Sequence, residues 1–209
     1  MPIWVICCLL VATMGPLLWR AIEKSGLLDI RLTMETSNAP GTGAGNLAPL
    51  FTREVLYWSN DIDRWATSQS LDPNLVATTM QIESCGHPSI SSPSGARGLF
   101  QVMPYHFADG EDPLDPETNA VRGLGMLADC LERADDNVGR AMACYNGGPS
   151  TLTQRYDAWA QEARYYYIWA TGIYEDAVAG NNHSATLDRW LAAGGASLCR
   201  RAADALGME

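Results

Sequence analysis

The stretch Met80-Gln-Ile-Glu-Ser-Cys-Gly-His87 places a single glutamate, Glu83, where an apolar helix runs out into a loop that is rich in glycine and proline. Val76 and Met80 precede Glu83 by seven and three residues, so the three side chains project from about the same helix face. We therefore expect the Glu83 carboxyl to point toward the core of the domain instead of into water.

The predicted position of Glu83 favours its protonated form. Loss of hydration beside apolar side chains raises the pKa of a carboxyl, and the negative end of the helix dipole raises it further. A carboxylic acid that stays protonated near neutral pH is suited to general acid catalysis. The alternative is a solvated glutamate in the last helical turn, which is the ordinary position for this residue type.

Helical periodicity continues along the chain from Leu50 onward. Apolar spacing and helix-stop signals predict the following helices: Leu50 to about Ser70, a helix from Pro73 with Asp72 as its N-cap, Asn119–Ala134, Val138–Tyr145, Thr151–Val178 and Ser184–Leu206. The last of these is weakened by Gly194-Gly195. No stretch alternates as a strand would, so the sequence predicts an all-α, mainly helical domain.

The N-terminal end is strongly apolar, because no charged side chain occurs between Ile3 and Trp19. This length is near the lower limit for crossing a bilayer, and we predict an N-terminal hydrophobic membrane-anchor helix. A cleaved signal peptide and a helix that packs against a partner are the alternatives. Residues 36–49 are rich in Gly, Pro, Ser, Thr and Asn, which is typical of a tether.

The charge of the chain argues against nucleic acid as a partner. The formal net charge is -10, and the acidic residues are scattered along the sequence. No basic stripe is present that could neutralise phosphates.

The six cysteines do not have the spacing of a metal site, since no CxxC pair or Cys/His cluster occurs. Two lie in the apolar N-terminal run, and four lie in the body, where they could form two disulfides or remain buried thiols. Cys130 and Cys144 each lie seven residues from Asn137, so an antiparallel helix pair that turns there would bring them level. A disulfide between them is therefore feasible. Cys85 is interpreted as a packing residue or as a partner for Cys199.

Two later segments give Glu83 a more specific context. They read Ser92-Pro-Ser-Gly-Ala-Arg-Gly-Leu-Phe-Gln-Val-Met-Pro104 and Ala143-Cys-Tyr-Asn-Gly-Gly-Pro149. Together with Glu83-Ser84, and with Asn119 followed by Gly123, they occur in the order of the motifs of the lytic transglycosylase family, which the sequence resembles over residues 50–178. The resemblance is to the catalytic domain of the soluble lytic transglycosylase type and implies a lysozyme-like fold.

The apolar N-terminal run, the composition of the tether and the resemblance together predict a division of the chain. The expected parts are a transmembrane anchor or signal-like segment in residues 1–20, a linker in 21–49, the lytic transglycosylase catalytic domain in 50–180 and a C-terminal helical extension in 181–209.

The same resemblance implies roles for individual residues. Glu83 corresponds to the single catalytic acid and base, and Ser84 to the residue beside it in the active site. The residues expected to line the sugar groove are Ser92, Gly98, Leu99, Phe100 and Gln101. Phe100 stands where the family usually has methionine, which would alter the shape of the groove wall.

Three further residues are expected near the scissile bond. Tyr145 and Asn146 correspond to residues that hold the glutamate and the substrate. Tyr166 is the counterpart of a tyrosine in a later family motif, with Tyr165 as the alternative register.

The mechanism implied by the resemblance uses one carboxyl group, whereas ordinary glycosidases use two. Glu83 would protonate the oxygen of the MurNAc-GlcNAc β-1,4 bond and then accept the proton of the sugar's own 6-hydroxyl. The product would be a 1,6-anhydroMurNAc end, formed without water, metal or cofactor. The alternatives are a lysozyme-type muramidase, which hydrolyses the bond, and a non-catalytic wall-binding component of a phage particle or secretion machine.

The expected partners follow from this interpretation. They are the peptidoglycan glycan strands, a membrane contacted through residues 3–19 and a larger envelope or virion assembly. The catalytic domain would face the cell-wall compartment, or periplasm, from a membrane anchor, or it would be associated with a virion.

Overall fold

The computed structural model describes residues 47–208. Within that range it is helical and contains no β-strand, apart from isolated bridges that pair Arg97 with Ser91 and with Val102. The prediction of a mainly helical, all-α domain is therefore confirmed for these residues. None of the helices between residues 47 and 208 has the length and apolarity needed to cross a bilayer. The predicted anchor in residues 1–20 and most of the 21–49 linker lie outside the described residues.

Eight α-helices make up the part of the chain that the structure describes. They are α1 (Arg53–Leu56), α2 (Ser59–Gln69), α3 (Pro73–Glu83), α4 (Pro116–Arg133), α5 (Val138–Gly147), α6 (Gln161–Val178), α7 (Ala185–Trp190) and α8 (Ala196–Leu206). Short 3-10 turns occupy Pro104–His106, Pro149–Leu152 and Tyr156–Ala158.

Helix α3 lies at the centre of the core and packs against α2 and α6. It starts as predicted, because the Asp72 carboxylate caps it by accepting a 2.7 Å hydrogen bond from the Asn74 backbone N–H. Its side chains are buried almost all round, from Leu75 to Gln81. Beyond this buried stretch Ile82 and Glu83 are partly exposed, so the C-terminal end of α3 can present side chains to a site.

The predicted helix from Leu50 to Ser70 is wrong as a single element. The chain breaks at Tyr57 and Trp58, between α1 and α2. The Trp58 indole N–H donates a 2.9 Å hydrogen bond to the Gly86 carbonyl, and its ring stacks on Trp65. These contacts with distant residues stabilise the bend, which local periodicity did not reveal.

The predicted helix Thr151–Val178 is also wrong at its start, since α6 begins at Gln161. The preceding segment forms two 3-10 turns instead. Buried Trp159 donates its indole N–H to the Thr151 carbonyl at 3.0 Å and so folds the segment back on itself. The opposite error occurs at α4, which begins at Pro116, before the predicted Asn119, because Asp115 is its N-cap.

The C-terminal helical segment is interrupted at the glycine pair that the sequence indicated. Gly194 has φ of 129°, a conformation that other residues rarely adopt, and it separates α7 from α8. A Cβ on Gly195 would lie 2.4 Å from the Trp190 ring, so this glycine leaves room for the indole.

Two disulfides connect these helices. Cys130 in α4 is joined to Cys144 in α5, with the Cα atoms 5.8 Å apart. Cys85, directly beyond the end of α3, is joined to Cys199 in α8, with the Cα atoms 5.0 Å apart. The second bond ties the C-terminal helix to the segment that follows Glu83.

Candidate active site

Two adjoining cavities meet at Glu83. The main groove, of about 750 Å³, and the aromatic chamber, of about 450 Å³, share Glu83, Asn146 and Glu162 in their walls. The main groove is lined also by Ser92, Ser94, Ala96, Gln101, Met103, Tyr105, His106, Met126, Asp129, Tyr145 and Gly147–Pro149. The aromatic chamber is lined also by Ile82, Gln161, Tyr165, Tyr166, Trp169 and Trp190. Both volumes are in the range of ligand pockets.

The environment of Glu83 favours its neutral form. The residue is partly buried, next to Val76 and Met80 on a helix face that is fully enclosed. The pKa of Glu83 is raised from 4.5 to about 8. Loss of hydration is the main cause of the rise, the Tyr166 hydroxyl lowers the pKa, and the negative charge of Glu162 raises it. At neutral pH the carboxyl is therefore mostly protonated and available as an acid.

Two tyrosine hydroxyls adjoin this carboxyl. Loss of hydration raises the pKa of both Tyr145 and Tyr166 well above the ordinary tyrosine value, and the Glu83 charge raises it further. Both are therefore neutral hydrogen-bond donors. Tyr145 donates to the Phe100 carbonyl at 2.7 Å. The Tyr166 hydroxyl is buried beside Glu83, where its interaction with the carboxyl lowers the Glu83 pKa, so it is placed to donate to Glu83 when that residue loses its proton.

Several residues expected to contact substrate are instead buried beneath the groove. Ser84, Leu99 and Phe100 each have 0% of their surface exposed. The Ser84 hydroxyl donates a 2.7 Å hydrogen bond to the Leu99 carbonyl and accepts one from the Gly86 N–H. These residues therefore position the loop that follows α3, and they do not reach the groove surface. Phe100 packs edge-on against Trp65 in the core, so its replacement of methionine changes packing below the groove.

Asn119 holds the same loop from the other side. It is fully buried at the start of α4. Its side-chain amide donates to the Arg97 and Pro113 carbonyls at 2.8 and 2.9 Å, and its carbonyl accepts from the Phe100 N–H at 2.8 Å. Gly98 lies directly against it with φ of 72°, where a Cβ would be 2.5 Å from the Asn119 amide.

Apart from Gly98, which is buried and lines neither cavity, the other predicted residues do reach the cavities. Ser92, Gln101, Tyr145 and Asn146 line the main groove. Gln101 is held by hydrogen bonds from its amide to the Gly98 and Ile90 carbonyls. Of the two alternatives in the late motif, Tyr166 is the buried tyrosine beside Glu83, whereas Tyr165 is 48% exposed in the aromatic chamber.

Some residues of the site were not predicted as such. Glu162 brings a second carboxyl to both cavities. It stands in the same late motif as Tyr166, and this was the feature of the sequence that could have indicated it. Asp129 also lines the main groove, where it forms a 3.0 Å ion pair with Arg133. Trp169 and Trp190 line the aromatic chamber, and no motif indicated them.

The cysteines do not provide a metal centre among the described residues. Glu54, Cys85 and Cys199 are the one described group whose ligand atoms lie close enough together to hold an ion. The two sulfurs are bonded to each other, so they cannot act as thiolate ligands.

Comparison with known proteins gives matches in the same part of the chain. The family model described as Transglycosylase SLT domain matches residues 60–168, just over half of the sequence. The transglycosylase of Enterobacteria phage PRD1 is 37% identical over 96 residues, which cover 45% of this chain and 36% of that protein. The soluble lytic murein transglycosylases of Salmonella typhimurium and Escherichia coli K12 are 30% and 27% identical over 112 residues, covering 48% of this chain and 17% of each relative. The similarity thus spans little more than a third of the first relative and less than a fifth of the others.

Proposed function

This chain belongs to the Transglycosylase SLT domain family, and we propose that it is a peptidoglycan lytic transglycosylase. Its domain would have the lysozyme-like arrangement of helices around a sugar groove. The observation that carries the proposal is the Glu83 carboxyl, which is protonated near neutral pH at the junction of two cavities. The substrate would be the glycan strand, which occupies both cavities and crosses Glu83 at its MurNAc-GlcNAc bond.

In the first step Glu83 donates its proton to the glycosidic oxygen, and the bond between that oxygen and C1 of MurNAc breaks. The N-acetyl carbonyl of the same sugar stabilises the positive charge at C1. The neutral Tyr166 hydroxyl donates to the Glu83 carboxylate that is formed, and the negative charge of Glu162 favours the cationic sugar.

In the second step the 6-hydroxyl of MurNAc attacks C1, and Glu83 takes up the hydroxyl proton. The GlcNAc oxygen has gained one proton and Glu83 has regained one, so the enzyme returns to its starting state. The burial that raises the pKa of Glu83 makes its carboxylate a good base in this step. The product carries a 1,6-anhydroMurNAc end.

The test is the mass of the product. Purified peptidoglycan is digested with the full chain, and the muropeptides are weighed beside those from a Glu83→Gln control. Ends that are lighter by one water than reducing ends support the proposal. Digestion that gives no cleavage above the Glu83→Gln control contradicts it and favours a non-catalytic wall-binding component.

A second candidate is a lysozyme-type muramidase, which the additional carboxyls in the main groove favour. Hydrolysis by two carboxyls needs one acid and one base or nucleophile, and Glu162 or Asp129 would be the second. Reducing ends in the same digestion would identify this activity. Loss of those ends in Glu162→Gln but not in Asp129→Asn would show which carboxyl takes part.

We further propose that the enzyme opens the wall locally, from the periplasmic face of a membrane or from a phage particle. The relatives include a transglycosylase of a phage and soluble murein transglycosylases of bacteria. The apolar run of residues 3–19 would supply the membrane contact. Flotation of the full chain with lipid vesicles, compared with a chain that lacks residues 1–20, tests that contact. Detection of the chain by mass spectrometry of purified virions tests whether it belongs to a phage particle.

A further inference from the structure

Three side chains of types that bind metals meet outside the two cavities. They are Glu54 of α1, Cys85 directly after α3 and Cys199 of α8. One ligand atom from each residue lies within 4.8 Å of those of the other two. All three residues are buried, and Glu54 is only 6% exposed. Burying a carboxylate is costly, and the chemistry at Glu83 gives no reason for this one.

The surroundings of the two sulfurs suit thiolates. Gln81, which is 0% exposed, donates from its amide nitrogen to the sulfurs of Cys85 at 3.1 Å and Cys199 at 3.6 Å. The Thr52 N–H donates to the Gln81 amide oxygen at 3.1 Å and so keeps the nitrogen turned toward the sulfurs. A neutral sulfur is a weak acceptor, so donors to both sulfurs stabilise them most when they are anionic. Hydrogen bonds of this kind form the outer shell that supports metal ligands.

The charge of the cluster fits a divalent cation. Two thiolates and one carboxylate carry three negative charges, which are costly to bury without positive partners. Arg53 is one such partner, through a 3.1 Å ion pair with a Glu54 oxygen. A divalent cation would balance the other two charges. Thiolate ligands select zinc over magnesium and calcium, and zinc also accepts a carboxylate oxygen.

In the oxidised protein the disulfide excludes a metal, because the bonded sulfurs are not thiolates. We infer that reduction of this disulfide creates a zinc site whose three protein ligands are Glu54, Cys85 and Cys199. The reductant, a dithiol, gives the disulfide two electrons and two protons and is itself oxidised to a disulfide. Zinc then displaces the two thiol protons, and a water molecule fills its fourth position. The sulfurs separate to roughly 3.8 Å, as two ligands at about 2.3 Å from a tetrahedral ion require.

The zinc ion would hold the same segments together that the disulfide holds in the oxidised protein. The disulfide joins α8 to the segment after α3, and the ion would join both to α1. Glu54 and Cys199 lie outside residues 60–168, which the family model matches, so two of the three ligands come from the flanking parts of the chain. A chain in a reducing compartment would thus keep α8 in place before the disulfide forms.

Cobalt(II) is the probe for this site, since it enters zinc sites and absorbs visible and near-ultraviolet light when thiolates bind it. The full chain is reduced under nitrogen with a phosphine, which supplies the same two electrons, and is titrated with Co²⁺ and then with Zn²⁺. We expect sulfur-to-cobalt charge-transfer bands that zinc abolishes. The oxidised full chain should show no such bands.

Matched cysteine pairs separate this site from the other thiols of the reduced chain. Cys85→Ser/Cys199→Ser should lose the charge-transfer bands, whereas Cys130→Ser/Cys144→Ser should keep them. The two cysteines of the apolar N-terminal run are present in both variants and cannot account for a difference between them.

Glu54→Gln tests the carboxylate ligand. It should weaken cobalt binding by about tenfold or more, because loss of even an outer-shell group has an effect of that size. Glu132→Gln, at an exposed carboxyl of α4, should bind as the parent does. Thermal melts give an independent measurement, since zinc that binds the folded state more tightly raises the Tm of the reduced parent. The same zinc concentration should raise the Tm of reduced Glu54→Gln by less.

The inference is overturned if the reduced parent and Cys85→Ser/Cys199→Ser bind cobalt alike, or if Glu54→Gln binds it as tightly as the parent. Circular dichroism decides the case in which the reduced chain unfolds. Refolding on addition of zinc supports the site, and a chain that stays unfolded contradicts it. None of these measurements uses peptidoglycan, so their outcome is independent of the proposed function.

Discussion

The Tyr145 hydroxyl donates a 2.7 Å hydrogen bond to the Phe100 carbonyl and thereby joins α5 to the loop that follows α3. Gly123 of α4 lies beneath this contact, where a Cβ would be 2.6 Å from Phe100 and 3.1 Å from the Tyr145 hydroxyl. Helices α4 and α5 and the loop thus meet at one hydrogen bond, and its removal should affect both stability and activity.

Tyr145→Phe removes this donor and leaves the ring in place. We expect a loss of ~1 kcal/mol in the free energy of unfolding and a roughly tenfold fall in kcat, because the Phe100 carbonyl loses its partner and the wall beside Glu83 loosens. Denaturant melts and turnover of peptidoglycan measure the two effects. Tyr156→Phe, at an exposed tyrosine outside both cavities, serves as the control. An unchanged kcat in Tyr145→Phe would contradict the positioning role.

The pH profile of kcat/KM should report Glu83. Since the pKa of Glu83 is raised to about 8, the acid is protonated below that pH and the rate should fall as pH rises through it. Glu162 raises this pKa by its charge, so Glu162→Gln should move the alkaline limb of the profile to lower pH. A limb that stays in place or moves to higher pH would show that Glu162 does not act on Glu83 in this way.

Glu83 should also make the domain less stable as pH rises. Its folded pKa of about 8 lies above the ordinary value of 4.5, so between these two values the folded protein holds a proton that the unfolded chain releases. The folded state therefore loses stability as the pH rises through this window. At pH values above the window, Glu83→Gln should be more stable than the parent by ~1–3 kcal/mol. Thermal melts across pH measure the difference. Glu175→Gln, at an exposed carboxyl on α6, should show no such gain.

Asn119→Ala should be among the more damaging substitutions in the described domain. It leaves three buried backbone groups without their partner, so we expect a loss of ~2–4 kcal/mol in unfolding free energy. Asn137→Ala, which removes the helix cap at the start of α5, should cost only ~1 kcal/mol. Equal losses in the two variants would mean that Asn119 does not clamp the loop.

The two disulfides should differ in their contribution to stability. The chain-entropy model gives ~3 kcal/mol for a short loop such as Cys130–Cys144 and ~5 kcal/mol for a long one such as Cys85–Cys199. Variants in which both cysteines of one pair are changed to alanine, melted with and without reductant, measure the contribution of each disulfide to the free energy of unfolding. Removal of the Cys85–Cys199 bond should also lower activity, because this bond anchors α8 to the segment that directly follows Glu83. A larger loss for Cys130–Cys144 would contradict this order.

The sequence was a good guide where the structure is determined locally. The Asp72 cap and the Pro73 start of α3 are local signals, and the structure has both. The break at Trp58 depends on Gly86, which is 28 residues away, and no periodic pattern contains that information. The delayed start of α6 has the same origin, because it depends on the bond from Trp159 to Thr151.

The site shows the same division between local and distant information. The order of the motifs indicated Glu83, Tyr145 and Tyr166, and the structure brings these side chains together. Ser84 and Phe100 lie in the same motifs, yet they are buried, because a motif does not distinguish a residue that contacts substrate from one that supports it. Trp190 could not be predicted, since its place depends on the packing of α7 against α6.

The Cys85–Cys199 bond joins two residues that are 114 positions apart in the chain, and the span between them includes the loop of residues 104–115 and most of the groove. A protease that cuts an exposed loop within this span cannot release either fragment while the bond is intact. The cut protein would migrate as one species on a non-reducing gel and as two after reduction. The domain can in this way be nicked and still keep α3 and α8 in one covalent molecule.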